Sequence, residues 1–257
     1  MLSNPSITVI TVSFNSEKTI GDTLRSFESQ LYKNKEHLII DGGSTDKTIE
    51  SVKPFLSKNV KLISEPDQGI YDAMNKGINL ASGDVIGFLN SDDIFSHNEV
   101  LTQIANAFEL NAIEAVYANL VYVEKENLNK IIRYWKSSSF LKNTFSSGWS
   151  PAHPTFYVTK KVYEKYGVFD TSIPIGNDIE LMMRFLEKWE IKSKHINEIW
   201  VKMRIGGVSN RNIKNIIYQN YVIYKMLKKY QVPHSITKFV LGKGVSRLKQ
   251  LCQKEYL

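Results

Sequence analysis

Ile7-Thr8-Val9-Ile10-Thr11-Val12-Ser13-Phe14 is the stretch that decides the fold. It is dense in β-branched residues, carries no charge and reads as a strand buried on both faces. Working outward, Ile20, Leu24, Phe27 and Leu31 recur at helical spacing and give one apolar face. A second strand follows over 36–40 and ends at Asp41. The run Gly42-Gly43-Ser44-Thr45-Asp46 reads as a turn and helix start, and 60–64 as a third strand. Ala73, Met74, Gly77, Ile78 and Ala81 line a helix. A fourth strand over 85–89 stops at Asn90-Ser91-Asp92-Asp93, and a helix runs over 95–110.

Strand and helix alternating in this way build a mostly parallel sheet with helices on both faces. Ligands of such sheets sit beyond the carboxyl ends of the strands. Asn15, Asp41, Glu65 and Asp92 follow the four strands in turn, so four separated segments are expected to meet on one rim. The second half is less regular. Residues 115–124 and 130–135 read as paired strands, 146–154 as a Ser/Gly/Pro loop, and 155–158 as a short strand. Residues 160–166 read as a helix closed by Gly167. Asp178 opens a helix striped by Ile179, Met182, Met183 and Leu186. A longer helix presents Ile213, Ile216, Ile217, Tyr221, Tyr224 and Leu227, for docking on the body.

The 257 residues suit one large domain with a helical extension. The boundaries expected are 1–210 for the main domain, divided into 1–112 and 113–210, and 211–257 for the extension. One cysteine, Cys252, excludes an internal disulfide and a cysteine metal site. The start of the chain does not read as a signal peptide, and no apolar run approaches a membrane span. A cytoplasmic location, or one on a membrane surface, is expected. The net charge is +7, and residues 211–257 alone contribute +9. A basic tail suits an anionic membrane surface, with a plain solvated face as the alternative. Nucleic acid is disfavoured, because no zinc-finger spacing or aromatic RNA-binding pattern is present.

Several clusters carry chemistry. Asp41 ends the second strand, where an acid can accept from a nucleobase N–H or a sugar hydroxyl, or merely start a turn. A dinucleotide site would need a Gly-rich turn after the first strand, and residues 13–18 contain no glycine. Asp92 and Asp93 are adjacent carboxylates that repel unless a cation or donors neutralise them. Hard oxygens of this kind suit Mg²⁺ or Mn²⁺ completed by substrate phosphates; a helix cap is the alternative. Asp72, Asn75 and Lys76 share part of one helix surface, where Lys76 and Asn75 could meet a phosphate. Arg204, with Gly206, Gly207 and Ser209 after it, could belong to a flap or an ordinary turn.

Taken in order, these pieces resemble family 2 glycosyltransferases of the GT-A fold, over roughly residues 5–210. The resemblance rests on Ile7–Asn15, Asp41–Asp46, Ser64–Gly77, Ala81–Asp84, Asn90–Asp93, His153-Pro154-Thr155, Gly167–Asp170 and Asn177-Asp178. The 64–77 stretch is most similar to bacterial enzymes that build O-antigen, capsule or colanic-acid units. The resemblance implies an inverting, metal-dependent transfer from a nucleotide sugar, of the UDP-hexose or UDP-N-acetylhexosamine type, to a lipid-linked saccharide. It implies Phe14 and Asp41 at the nucleotide base, Asp92 and Asp93 at a Mn²⁺ or Mg²⁺ ion and the donor ribose, His153 near the diphosphate or acceptor, and Asp178 as base. Asn90 and Asn177 depart from it, since the family often has an acid at each. A non-catalytic nucleotide-binding or scaffold member of the same fold is the alternative.

Overall fold

The computed structural model describes residues 2–110, 112–206, 213–235, 237, 239, 241, 242, 244 and 245. Gly207 and Ser209 of the expected flap, Cys252 and the end of the basic tail lie outside the described residues.

The first half follows the alternation. β1 (Ile7–Ser13), α1 (Ile20–Glu28), β2 (Lys35–Asp41), α2 (Thr48–Val52), β3 (Val60–Ser64), α3 (Ile70–Leu80) and β4 (Val85–Phe88) succeed one another. β1 lies between β2 and β4, β3 flanks β2, and all these pairings are parallel. Every residue of β1 and β4 is buried, as helices on both faces require. Gly77 lets α3 approach the sheet: a Cβ there would stand 2.6 Å from Ile10 Cγ2. Leu31 departs from the expected apolar face, because α1 has ended by Glu28 and Leu31 is exposed.

The second half adds β5 (Ile94–Phe95), α4 (Val100–Leu110), β6 (Ala115–Val123), β7 (Ile131–Trp135) and β8 (Tyr157–Thr159). It continues with α5 (Lys160–Tyr166), α6 (Asn177–Met183), β9 (Ser193–Arg204) and α7 (Ile213–Lys229). The whole is one nine-stranded sheet in the order β3-β2-β1-β4-β8-β6-β9-β5, with β7 on β6. β8 joins the halves, antiparallel to both β4 and β6, while β9 runs parallel to β6 and antiparallel to β5. The short strand expected at 155 begins at Tyr157, because His153–Thr155 forms a tight turn. β9, twelve residues long, was not expected.

α7 docks on the body as expected, but by a face that shares only Leu227 with the stripe read from the sequence. Val222, Ile223, Met226 and Leu227 join the largest core cluster, while Ile217 and Tyr221 point outward. Among the described residues no helix is long and apolar enough to cross a membrane.

Candidate active site

The rim is built by stitching the loops after β1, β2 and β4 together. Asn15 adopts a left-handed φ of 49°, and its amide oxygen accepts the Thr45 backbone N–H at 2.9 Å. Its own backbone N–H donates to Ser44 Oγ at 2.8 Å. The Ser16 N–H donates to Thr48 Oγ1 at 2.7 Å, and the Ser16 and Ser91 hydroxyls meet at 2.9 Å. Phe14 is carried on this fixed loop with 63% of its surface in solvent.

Asp41 is fully buried, and its two oxygens accept five hydrogen bonds. The donors are the hydroxyls of Ser13, Ser44 and Ser64 and the backbone N–H groups of Gly43 and Ser44. Burial alone would raise its pKa, but these donors reverse the shift and hold the carboxyl below its ordinary value. Asp41 is thus committed to shaping the 42–44 turn. The acid the sequence reading missed is Asp67. Its Oδ1 accepts the Gly69 N–H at 2.8 Å, and its Oδ2 lies 2.4 Å from where a Cβ on Gly42 would stand. Only glycine at 42 leaves that carboxylate its place.

The polar set on α3 makes contacts within the protein. Asp72 accepts the Gln68 N–H at 3.0 Å. Lys76 pairs with Glu65 at 3.0 Å and donates to the Pro66 carbonyl at 3.1 Å. Asn75 uses both ends of its amide on the backbone of Phe169, at 2.9 and 3.0 Å. Asn75 thus faces the 167–170 segment, while Asp72 and Lys76 face the 65–68 loop that precedes α3.

The Asn90–Asp93 turn divides its two carboxylates. Asp92 is half-buried and Asp93 wholly buried. Burial raises the pKa of both, and for Asp93 the neighbouring Asp92 charge adds to it. Asp93 Oδ2 accepts from the Asn90 amide at 3.2 Å, while Asp93 Oδ1 and Asn90 Oδ1 are buried without a partner. Arg204, at the end of β9, fixes the turn from behind. Its guanidinium donates to the Asp92 carbonyl at 2.6 Å, to the Lys125 carbonyl at 3.1 Å, and to Asp22 at 2.5 Å. Arg204 is therefore a buried anchor rather than a residue of a mobile flap.

Asp178 opens α6, whose entry is set by Gly176 at a φ of +84°. Asp178 Oδ2 lies 3.3 Å from His153 Nδ1, and Asp178 Oδ1 is buried without a partner. The preceding Asn177 is buried and holds the Asp170 backbone on both sides, accepting from its N–H at 3.3 Å and donating to its carbonyl at 2.7 Å. A carboxylate at 177 could not donate that second bond, which accounts for the amide there. Phe169 stacks on Tyr71 at 5.4 Å and meets the edge of Phe88 at 5.6 Å. The His153–Thr155 turn touches both β4 and α6. The helix bearing Asp178 and the strand leading to Asp92 thus converge on one turn. A separate open hollow of 390 Å³ lies at the other end of the sheet, lined by Tyr134, Asn197 and Lys202 among others, and contains none of these residues.

The fold and site define a GT-A glycosyltransferase, a class that handles nucleotide sugars. Residues 8–168 match glycosyl transferase family 2, and the chain belongs to that family. It is 33% identical over 245 residues to an uncharacterized glycosyltransferase of Haemophilus influenzae, covering 92% of this chain and 94% of that one. It is 33% identical over 123 residues, 48% of each chain, to WfgD of Escherichia coli, a UDP-Glc:alpha-D-GlcNAc-diphosphoundecaprenol beta-1,3-glucosyltransferase. Among solved structures, S. aureus TarS 1–349 in complex with UDP-GlcNAc superposes with a TM-score of 0.61 at 16% identity, over 89% of this chain and 68% of that one. The mannosyltransferase PcManGT of Pyrobaculum calidifontis, in complex with GDP-Man and Mn²⁺, gives 0.58 at 16% identity, over 98% and 83%. These two likenesses concern the fold.

Proposed function

We propose that this glycosyltransferase inverts configuration and moves a hexose or N-acetylhexosamine from a UDP donor to a hydroxyl of a lipid-linked saccharide, in the assembly of a surface polysaccharide. The observation that carries the reading is Asp178: its side chain is 21% exposed, its Oδ2 lies 3.3 Å from His153 Nδ1, and the turn carrying His153 also touches β4, the strand leading to Asp92. A carboxylate so arranged accepts the proton of an acceptor hydroxyl as it attacks the anomeric carbon. The nucleoside diphosphate departs from the opposite face. A diphosphate, unlike a sugar alkoxide, leaves without protonation, so one base suffices and configuration inverts.

The Asp92–Asp93 turn fits a divalent cation, Mn²⁺ or Mg²⁺, as a partial ligand set. Two adjacent carboxylates with raised pKa and an orphaned buried oxygen favour a neutralising charge. Among the described residues no cluster of three or more His, Cys, Asp or Glu could hold a metal, so donor phosphates would complete the shell. Asp92, the more open of the two, is the proposed metal ligand, with Asp93 behind it. The cation, when bound, stabilises the charge growing on the leaving diphosphate. Phe14 offers a ring face to the nucleobase and Asp67 Oδ2 an acceptor for its N–H, on a turn shaped by Asp41.

The WfgD likeness supports both a UDP-sugar donor and a diphospholipid acceptor. Such an acceptor puts the enzyme at the cytoplasmic face of a membrane, with the basic segment 211–257 toward the anionic surface. The test is release of UDP from a panel of UDP-sugars with and without Mn²⁺, followed by transfer to a diphosphoundecaprenol-linked sugar. Release that ignores both metal and Asp178→Asn would overturn the mechanism.

A further inference from the structure

α7 carries an outward face that its docking on the body does not explain. Lys214, Ile217, Tyr218, Tyr221, Lys225, Lys228 and Lys229 are its exposed residues. At 3.6 residues per turn they fall within a wedge of about 120°. Ile217 is 64% exposed, Tyr221 60% and Tyr218 41%. The helix contains no acidic residue, and residues 211–257 hold ten Lys or Arg against one acid, Glu255. A purely solvating face would not keep an isoleucine and two tyrosines among its lysines. Lysines flanking tyrosines and an aliphatic side chain match the boundary of an anionic bilayer, where ammonium groups reach headgroups and amphipathic rings sit at their level.

From this pattern we infer that the Lys214–Lys229 face of α7 lies on the surface of an anionic lipid bilayer. Charge complementarity selects this occupant over a second copy of the chain, since two such faces would bring eight lysines together with no acid between them. The opposite face of the same helix is fixed to the catalytic half. Val222, Ile223, Met226 and Leu227 are in the core, and Gln219 packs against Gly176, which opens the helix of Asp178. Tyr230, just beyond α7, donates to the buried Glu180 of that same helix. A bilayer under α7 would therefore hold the mouth of the site at a fixed height. The inference draws its purpose from the lipid-linked acceptor, but its evidence is the face itself.

The test is co-sedimentation of the full chain with vesicles of phosphatidylcholine alone or with 30% phosphatidylglycerol, taken as about a third anionic lipid. Binding is expected only with the anionic lipid, and is expected to be released by high salt. Lys225→Glu with Lys228→Glu should lower partitioning by about tenfold or more. Ile217→Ser with Tyr221→Ser should lower it without changing net charge. Lys53→Glu with Lys58→Glu, which changes net charge equally at exposed sites elsewhere, should bind as the wild type does. Wild-type protein left in the supernatant, or equal losses in the two charge-reversed variants, would overturn the inference. So would a dimer in sedimentation velocity that Tyr221→Ser dissociates. UDP release in solution, read in the same variants, reports on the transfer chemistry separately.

Discussion

His153 Nδ1 stands 3.3 Å from Asp178 Oδ2, and this contact joins two segments 25 residues apart in sequence at the point where acceptor chemistry is proposed. Asp178 Oδ1 is buried, so the 21% of the side chain that reaches solvent leaves the Oδ2 edge, beside the imidazole, as the one an incoming hydroxyl can meet. Asp178→Asn is expected to keep donor binding and to lose transfer by about 10³-fold, as removal of a general base does. His153→Ala is expected to lower kcat by roughly ten- to a hundredfold, through misorientation, with little change in donor KM. Steady-state kinetics with calorimetry on the donor separates the two. Wild-type turnover in Asp178→Asn would remove it from the mechanism.

Asp92 and Asp93 are expected to behave differently, although sequence treats them as a pair. Asp92→Asn should abolish the extra protection that Mn²⁺ gives the donor complex against thermal unfolding. Asp93→Asn removes a buried carboxyl of raised pKa and should leave the metal-free protein as stable as the wild type, or more so. Thermal midpoints with and without donor and Mn²⁺ read both effects. Equal loss of metal protection in the two variants would contradict the division.

Asn90→Asp is a probe of the same turn. The Asn90 amide now donates to Asp93; a carboxylate there would repel it instead. Without metal the variant should be destabilised by about 1–3 kcal/mol, the scale of a buried donor replaced by a like charge. With Mn²⁺ the loss should shrink, because a third carboxylate strengthens cation binding. Urea unfolding at fixed metal concentrations measures it, and a loss that does not respond to metal would separate residue 90 from the cation.

The parallel half of the sheet was legible because β1, β4 and the Leu38–Ile40 end of β2 are short apolar, largely β-branched runs that need no exposed face. The rim was legible for the same reason, since strand ends were easy to find. What stands opposite a side chain was not legible. Asn75 has the spacing of a ligand-facing residue, yet Phe169, 94 positions away, takes both ends of its amide. β9 escaped notice because its burial follows no two-residue period: it pairs with β6 on one edge and β5 on the other, with register shifts along β6. On α7, apolar residues occur nearly all round the helix, so the pattern could not separate the docked stripe at 222–227 from the outward Ile217 and Tyr221. Asp67 carries no sign of its place in the sequence, because only folding brings it over Gly42.

Arg204→Ala is expected to cost about 2 kcal/mol of stability. A broken buried pair costs more, but Asp22 keeps a third of its side chain in solvent and can rehydrate. The variant should also weaken donor binding, because the Asp92 carbonyl loses its anchor. Chemical denaturation together with donor titration tests this, and a stable variant with normal affinity would show that the turn holds without Arg204.

Acid is expected to destabilise the fold through a buried histidine. His37 is wholly buried between Phe27, whose ring lies 4.2 Å away, and Thr11. The Thr11 hydroxyl gives its one proton to the Leu89 carbonyl, so His37 Nε2 must be the donor to Thr11 and Nδ1 is bare and unpartnered. Protonating Nδ1 would bury an unpaired charge, and burial accordingly lowers the pKa to about 3. In the unfolded chain the same group titrates near 6.5, so stability falls as the pH drops from about 6.5 toward 3. The total is on the order of 4 kcal/mol. Glu36 adds its own loss only in a lower window: its pKa is held at about 2 by donors from Ser82, Lys61 and Thr8 that outweigh burial. Between pH 6.5 and 4.5 His195, whose pKa burial also lowers, adds to the loss, while the raised carboxyls of Asp92, Asp93 and Glu187 oppose it. His37→Leu should therefore shift the slope of urea midpoints across that window toward greater stability at low pH and leave the Glu36 decline below pH 4.5 in place, whereas an unchanged slope would mean the imidazole already carries its proton inside the fold.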